Sequence, residues 1–439
     1  MRFFSRQNEI RQLKEIGKRA ERVAQFTVLT GRRRIGKTSL VLKAYEEVPM
    51  LYFFVSRKSE IELCRDFAEE MVSKLNITPL GRPDRFADIF AFLMNYAKEK
   101  PVTLMIDEFQ DFKRVNASIF SDMQRIWDLN KRDSKINLIV CGSMNSLMNK
   151  LFRDDKEPLY GRQTEEMKLE PFTPSVLKEI LAEYHPAYTP EDLLALYLFT
   201  GGVPKYVEIF IDSEKFTMEE MRRSVLSRNS FFLEEGKKML IEEFGRDYDR
   251  YFEILGLIAQ GHNTRGDIEG IMHTEIGGYL TRMERDYALI AKHKPMMQQS
   301  ENKNIHYAIR DNFLRFWFRY IYKYGYVIEA HAYDKLEEIV AQSYTTYSGR
   351  VLEQYFMEQM RETGQFTRIG SWWDRKGENE IDIIGVDDTK EQICFYEVKR
   401  QSSELIMSAL RAKAERFLAV NNRFAAYQIS CVGLSLDNV

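Results

Sequence analysis

The segment GRRRIGKT, residues 31–38, limits this chain's fold more than any other stretch. A G-x-x-x-x-G-K-S/T pattern has its mechanical meaning only between a buried strand and the first turn of a helix. Both flanks are present: FTVLT (26–30) is a short apolar run, and TSLVLKAYEE (38–47) carries helical signals. Gly31 and Gly36 let the loop turn its backbone N–H groups inward, and the helix behind adds the positive end of its dipole. The expected ligand of such a loop is phosphate.

A second apolar run, TLMIDEF (103–109), ends in two acids. With the loop it defines a nucleotide site in which each residue type has a task. Lys37 neutralises β- and γ-phosphate charge, the Thr38 hydroxyl and Asp107 hold Mg²⁺, and Glu108 acts on the attacking water. Ser39 completes the loop side. The expected ligands are therefore ATP and Mg²⁺, with hydrolysis as the expected reaction.

The 439 residues suggest about three domains at roughly 150 residues each. Apolar runs at 26–30, 51–55, 102–106 and 137–141, with helical periods at 60–75 and 86–98, predict a doubly wound α/β core over 1–170. Short helices are predicted at 173–183, 190–199, 203–211 and 217–243, with Thr173 and Thr189 as capping candidates, giving a helical lid over 171–243. Over 244–325, helices at 248–260, 264–272 and 274–289 precede two strands around a polar loop in 288–309. That order predicts a winged helix-turn-helix. Its polar face carries Thr281, Arg282 and Arg285, and the wing carries Lys292, His293 and Lys294. The aromatic helix FLRFWFRYIYKYGY (313–326) is predicted to pack this unit against its neighbours. The last segment, 326–439, returns to α/β, with helices at 343–363 and 403–419 and strands near 366–373, 380–386 and 393–398.

Composition excludes several classes. A formal net charge of −2 confines any nucleic-acid contact to a local patch. The four cysteines, at 64, 141, 394 and 431, form no CxxC pair, so no zinc ribbon or disulfide framework is expected. The charged start and the lack of an 18-residue apolar run predict no signal peptide, no membrane span and a cytoplasmic protein.

The first 240 residues resemble the AAA+ class of P-loop ATPases, in particular the prokaryotic branch near the signal-transducing STAND ATPases. FFSRQNEIRQL is similar to that family's N-terminal box, with Arg6 and Glu9 at matching positions. NLIVCGSMNSLM resembles the sensor-1 strand, which places Ser143, or as runner-up Asn145, near the γ-phosphate. PLYGRQTEEMKLEPF resembles the arginine-bearing segment, so Arg162 is implied as a finger, acting in trans if copies assemble into a homo-oligomer. GGVPKYVE resembles the lid element that includes Gly202 and Pro204.

In the last hundred residues Glu353, Asp382, Glu397 and Lys399 form a second constellation. Period-2 alternation puts Glu397 and Lys399 on one strand face, and Asp382 lies on the strand before. Carboxylates with a lysine are expected to hold a divalent ion and position water, Glu353, Asp382 and Glu397 being the ligands. WWDRKGENEIDIIGV and YEVKR resemble the PD-(D/E)XK nuclease superfamily. The fold class implied is thus α/β: an AAA+ core with helical lid, a winged helix, and a restriction-endonuclease-like domain acting on DNA. The alternative is a STAND-type switch whose C-terminal domain only binds. Trp372 and Trp373 face opposite sides of their strand, and core packing is expected for both.

Overall fold

Strands buried on both faces need unbroken apolar sequence, and the N-terminal half supplies it four times. The computed structural model describes residues 1–77, 81, 83–245, 248–297, 305–374 and 378–439. The polar loop at 298–304 and residues 375–377 lie outside them. β1 (Gln25–Thr30), β2 (Met50–Phe54), β3 (Val102–Asp107), β4 (Ile136–Cys141) and β5 (Glu165–Lys168) form one parallel sheet in the order β2-β3-β4-β1-β5. β3 and β4 are buried at every residue. β5, EEMK, is an edge strand, and charged side chains there protect an exposed edge.

Each face of this sheet has its own core. Phe26 and Val28 join Leu104, Trp127 and Leu138 on one side. Leu29 joins Leu13, Val41 and Ile139 on the other. Phe26 meets Trp127 edge-on at 5.2 Å between ring centroids. The alternation of Phe26, Val28 and Leu29 fixes the strand's register, and with it the point where residue 31 leaves the sheet.

The chain divides into two compact units, Phe4–Glu170 and Met1–Phe3 with Pro171–Val439. The second begins with the helices Pro174–Tyr184, Pro190–Thr200 and Pro204–Asp212. Thr189 caps the second of these in a box with Asp192, whereas Thr173 makes no capping bond. The single helix predicted over 217–243 is two, Met218–Leu226 and Phe231–Phe244, because Ser230 caps a new start. Helices Tyr248–Gln260, Arg265–Met272 and Gly277–Arg285 follow, and then β6 (Ile290–His293) pairs antiparallel with β7 (His306–Ile309). His273, at φ 50°, ends the middle helix.

The aromatic helix is α-helical over Asn312–Phe316 and π-helical over Trp317–Tyr322. Trp317 Nε1 donates to the Leu233 carbonyl at 2.9 Å, so this segment is bound to the helix Phe231–Phe244. The helix predicted from 343 starts ten residues earlier, spanning Tyr333–Thr363. β8 (Arg368–Trp373), β9 (Glu380–Asp387), β10 (Gln392–Val398) and β11 (Gln428–Leu434) form a sheet ordered β11-β10-β9-β8. β8, β9 and β10 are antiparallel, and β11 lies parallel to β10. The helix after β10 runs Met407–Val420, preceded by a 3₁₀ turn, Ser402–Glu404. No helix of the described residues is long and apolar enough to cross a membrane.

Candidate functional site

At the carboxyl end of β1 the loop leaves the sheet through Gly31, at φ 149°, where a Cβ would sit 2.8 Å from the Leu169 carbonyl oxygen. Gly36, at φ 88°, is the N-cap of helix Lys37–Ala44, a left-handed position that favours glycine. Between them the backbone closes on the lysine: Lys37 Nζ donates to the carbonyls of Gly31 at 2.9 Å and Arg32 at 3.2 Å. Burial pushes the Lys37 ammonium below its ordinary pKa, and nearby Cys141, Glu108 and Asp107 act against that.

β3 delivers Asp107 to the same place. The Thr38 hydroxyl donates to Asp107 Oδ2 at 2.6 Å, and the Tyr52 hydroxyl, from β2, donates to the same oxygen at 3.1 Å. Burial and the neighbouring Asp107 charge push the Tyr52 phenol well above its usual range, so it stays a donor. Thr38 and Asp107 place two hard oxygens side by side, a donor set that suits Mg²⁺.

Glu108 follows in the left-handed region at φ 52°, costing about 1 kcal/mol for a residue with a Cβ. What holds it is a pair of donors on one oxygen. Gln110 Nε2 lies 2.6 Å and Ser143 Oγ 2.8 Å from Glu108 Oε2. Gln110 is buried, and its Oε1 has no hydrogen-bond partner among the described residues. Neither Tyr52 nor Gln110 belongs to a sequence pattern. Gln110 had one signal, its place two residues beyond Glu108.

The other predicted residues divide. Ser39 is exposed on the first turn of its helix. Arg6, at φ 74°, bonds Glu9 Oε1 at 3.0 Å and the Glu170 carbonyl at 2.6 Å, clasping the start and end of its unit. Arg162 pairs with Asp128 at 3.1 Å and donates to the Tyr160 carbonyl at 2.8 Å. The side chain of Asn145 lies outside the described residues. Pro204 stands at the first turn of helix Pro204–Asp212, in the second unit.

In the C-terminal sheet, β9 and β10 bring Asp382, Glu397 and Lys399 together. Lys399 Nζ lies 3.0 Å from Glu397 Oε1 and 3.9 Å from Asp382 Oδ2. The Val398 N–H donates to Asp382 Oδ2 at 2.7 Å. Lys413, which no pattern indicates, reaches both Glu397 oxygens, at 3.0 and 3.3 Å. Burial, then the charges of Asp382 and Glu380, push Glu353 up to about 8. Burial pushes Asp382 up to about 6, against the Val398 N–H. Lys399 is raised: burial opposes its charge, but Glu397 and Asp382 outweigh it.

The three carboxylates expected as metal ligands, Glu353, Asp382 and Glu397, are not drawn into one group. Among the described residues no three His, Cys, Asp or Glu side chains are grouped to hold a metal ion. Glu353 interacts with Asp382 and Lys399 through charge without completing a set, and lysines supply the positive charge beside Glu397.

The polar face of helix Gly277–Arg285 is also partly engaged. Thr281 bonds back to the Gly277 carbonyl at 2.9 Å, and Arg282 approaches the Tyr251 hydroxyl at 3.5 Å. Lys292 pairs with Glu284 at 2.5 Å, whereas Arg285, His293 and Lys294 are exposed. The segment after β6 lies on β8: the Met296 N–H donates to the Ser371 carbonyl at 2.8 Å. His306 stacks on Trp373 at 4.5 Å, and Trp372 packs edge-on against Phe417. Both tryptophans thus pack against neighbouring rings.

A family model described as an ATPase domain predominantly from Archaea matches residues 3–210. Another, of archaeal and bacterial proteins of unknown function, matches residues 317–413. The chain is 32% identical over 408 residues to an uncharacterized protein of Methanocaldococcus jannaschii, spanning 90% of this chain and 87% of that one. In fold it is similar to the Walker-type ATPase of Pyrococcus abyssi, with a TM-score of 0.55, 20% identity, and coverage of 72% of this chain and 96% of that one.

Proposed function

This chain belongs to a family of ATPases found predominantly in Archaea, and on that premise we propose that its loop and strand ends bind ATP and hydrolyse it as a conformational switch. The observation that carries this reading is the 2.6 Å bond between Thr38 and Asp107, with Lys37 in the loop and Glu108 beside them. The loop N–H groups and Lys37 hold the β- and γ-phosphates in line for attack. Mg²⁺, held by Thr38 and Asp107, would neutralise charge developing on the phosphate oxygens. Glu108 takes the proton of the water that attacks the γ-phosphorus; the bond to the bridging oxygen breaks, and ADP and phosphate leave. Ser143 and Gln110 aim that carboxylate. Arg162, freed from Asp128, supplies positive charge in trans when copies assemble.

Lys37→Ala should abolish ATP binding, and Glu108→Gln should keep binding while slowing phosphate release by several orders of magnitude. Turnover by Glu108→Gln at the parent rate would remove glutamate from its role.

We extend the reading to residues 326–439 as a nuclease-like module acting on DNA, with residues 244–325 as a winged helix beside it. Asp382 and Glu397 would hold a divalent ion that activates water, and Lys399 would steady the developing phosphate charge. What supports it is the convergence of these three side chains from β9, β10 and the residue just after β10. A second reading, in which the module only binds, is favoured by the two lysines on Glu397. Metal-dependent cleavage of single- and double-stranded DNA, with and without ATP, separates the two, with Asp382→Ala as control.

A further inference from the structure

Lys413 lies on helix Met407–Val420 beside buried Leu410, Ala414 and Phe417. Those three pack the helix onto Ile393 and Phe395 of β10, so the lysine's backbone is anchored over the strand that carries Glu397. Its ammonium spans both oxygens of one carboxylate, at 3.0 and 3.3 Å, while Lys399 takes a second position on Oε1 at 3.0 Å. A cation that spans a carboxylate in this way stands where a divalent ion would bind it bidentately. The Glu397 side chain is 11% exposed and that of Lys413 25%, so water and salt screen the pair weakly. Two lysines stand against the charges of Asp382 and Glu397.

Resting on the reading of Asp382 and Glu397 as a metal-holding pair, the geometry points to Lys413 as a built-in competitor for that metal. A divalent ion gains Glu397 only when the lysine swings away, so the folded cluster is closed to ions until that happens. Lys413 is in this sense a positioning residue that sets when the site is loaded.

The test needs no turnover. Mn²⁺ is titrated into the nucleotide-free full chain, and bound ion is read from the loss of the free-ion electron paramagnetic resonance signal. Lys413→Met should tighten one Mn²⁺ site by about tenfold or more, because a partly buried competing charge is gone. Lys413→Gln should do the same, which covers the case in which the methionine variant does not fold. Lys413→Arg should stay near the parent, and Asp382→Asn added to Lys413→Met should remove the gain. If the lysine variants bind no tighter while Asp382→Asn still removes an ion from the parent, competition is refuted and the metal reading survives. If no variant holds an ion that Asp382→Asn removes, both are overturned.

Discussion

Glu353 faces an energetic conflict that its helix imposes. Burial and the charges of Asp382 and Glu380 push its carboxyl up to about 8, from an ordinary 4.5. Between those two values the folded chain keeps a proton that the unfolded chain has lost. Stability must therefore fall as pH rises through that window, and level off above it. Glu353→Gln keeps the shape and removes the ionisation. Its melting temperature should match the parent near pH 4.5 and exceed it increasingly up to about pH 8, by about 2–4 °C for each kcal/mol that the buried ionisation costs in a domain of this size. Calorimetric melts of both proteins across that range check this. Parallel curves would mean that Glu353 ionises normally in the fold.

At the scale of elements, legibility followed burial. β1 to β4 could be read from sequence because parallel strands covered on both faces leave unbroken apolar runs, and the loop glycines mark where β1 ends. β11 could not. QISCVGL lies at a sheet edge with its first three residues exposed, and its pairing is set by β10, about thirty residues earlier in the chain. The break at Ser227–Ser230 is equally local and weak, a single serine cap between two amphipathic helices. At the nucleotide site the loop residues and acids were legible because they share short motifs. Tyr52, Gln110 and, in the other unit, Lys413 were not, since each reaches its partner from an element whose spacing carries no pattern. The turn before β5 carries its own prediction. Arg162 is held by Asp128, so a role in trans requires that this pair open. An exposed pair of this kind is worth about 1 kcal/mol or less, which leaves opening accessible. Asp128→Ala should then raise ATP turnover, Arg162→Ala should lower it with ATP affinity kept, and parent specific activity should climb with protein concentration. Activity flat across dilution, unchanged by Asp128→Ala, would exclude the trans arginine.

At the scale of the molecule, the two chemical clusters belong to different compact units. Lys37 and Thr38, on the first turn of helix Lys37–Ala44, and Asp107 and Glu108, at the end of β3, belong to the unit Phe4–Glu170, whose two cores draw on that unit alone. Asp382 on β9, Glu397 on β10 and Lys399 just beyond β10 lie over a core that includes Ile384, Phe395 and Phe417. Mutations with no shared partner usually add in free energy, whereas residues of one network do not. Asp382→Asn should therefore leave ATP affinity and basal hydrolysis within about twofold of the parent, the scatter expected for independent sites. ATP should in turn stabilise the first unit by mass action, about 2.7 kcal/mol at a hundredfold excess over its dissociation constant, in the parent and in Asp382→Asn alike. Lys37→Ala should lose that shift. Nucleotide-dependent melting and phosphate release, measured on all three proteins, supply the comparison. A several-fold change in hydrolysis in Asp382→Asn, with its ATP-dependent melting shift intact, would show that the C-terminal cluster governs turnover. The switch and the module would then have to be treated as one catalytic system.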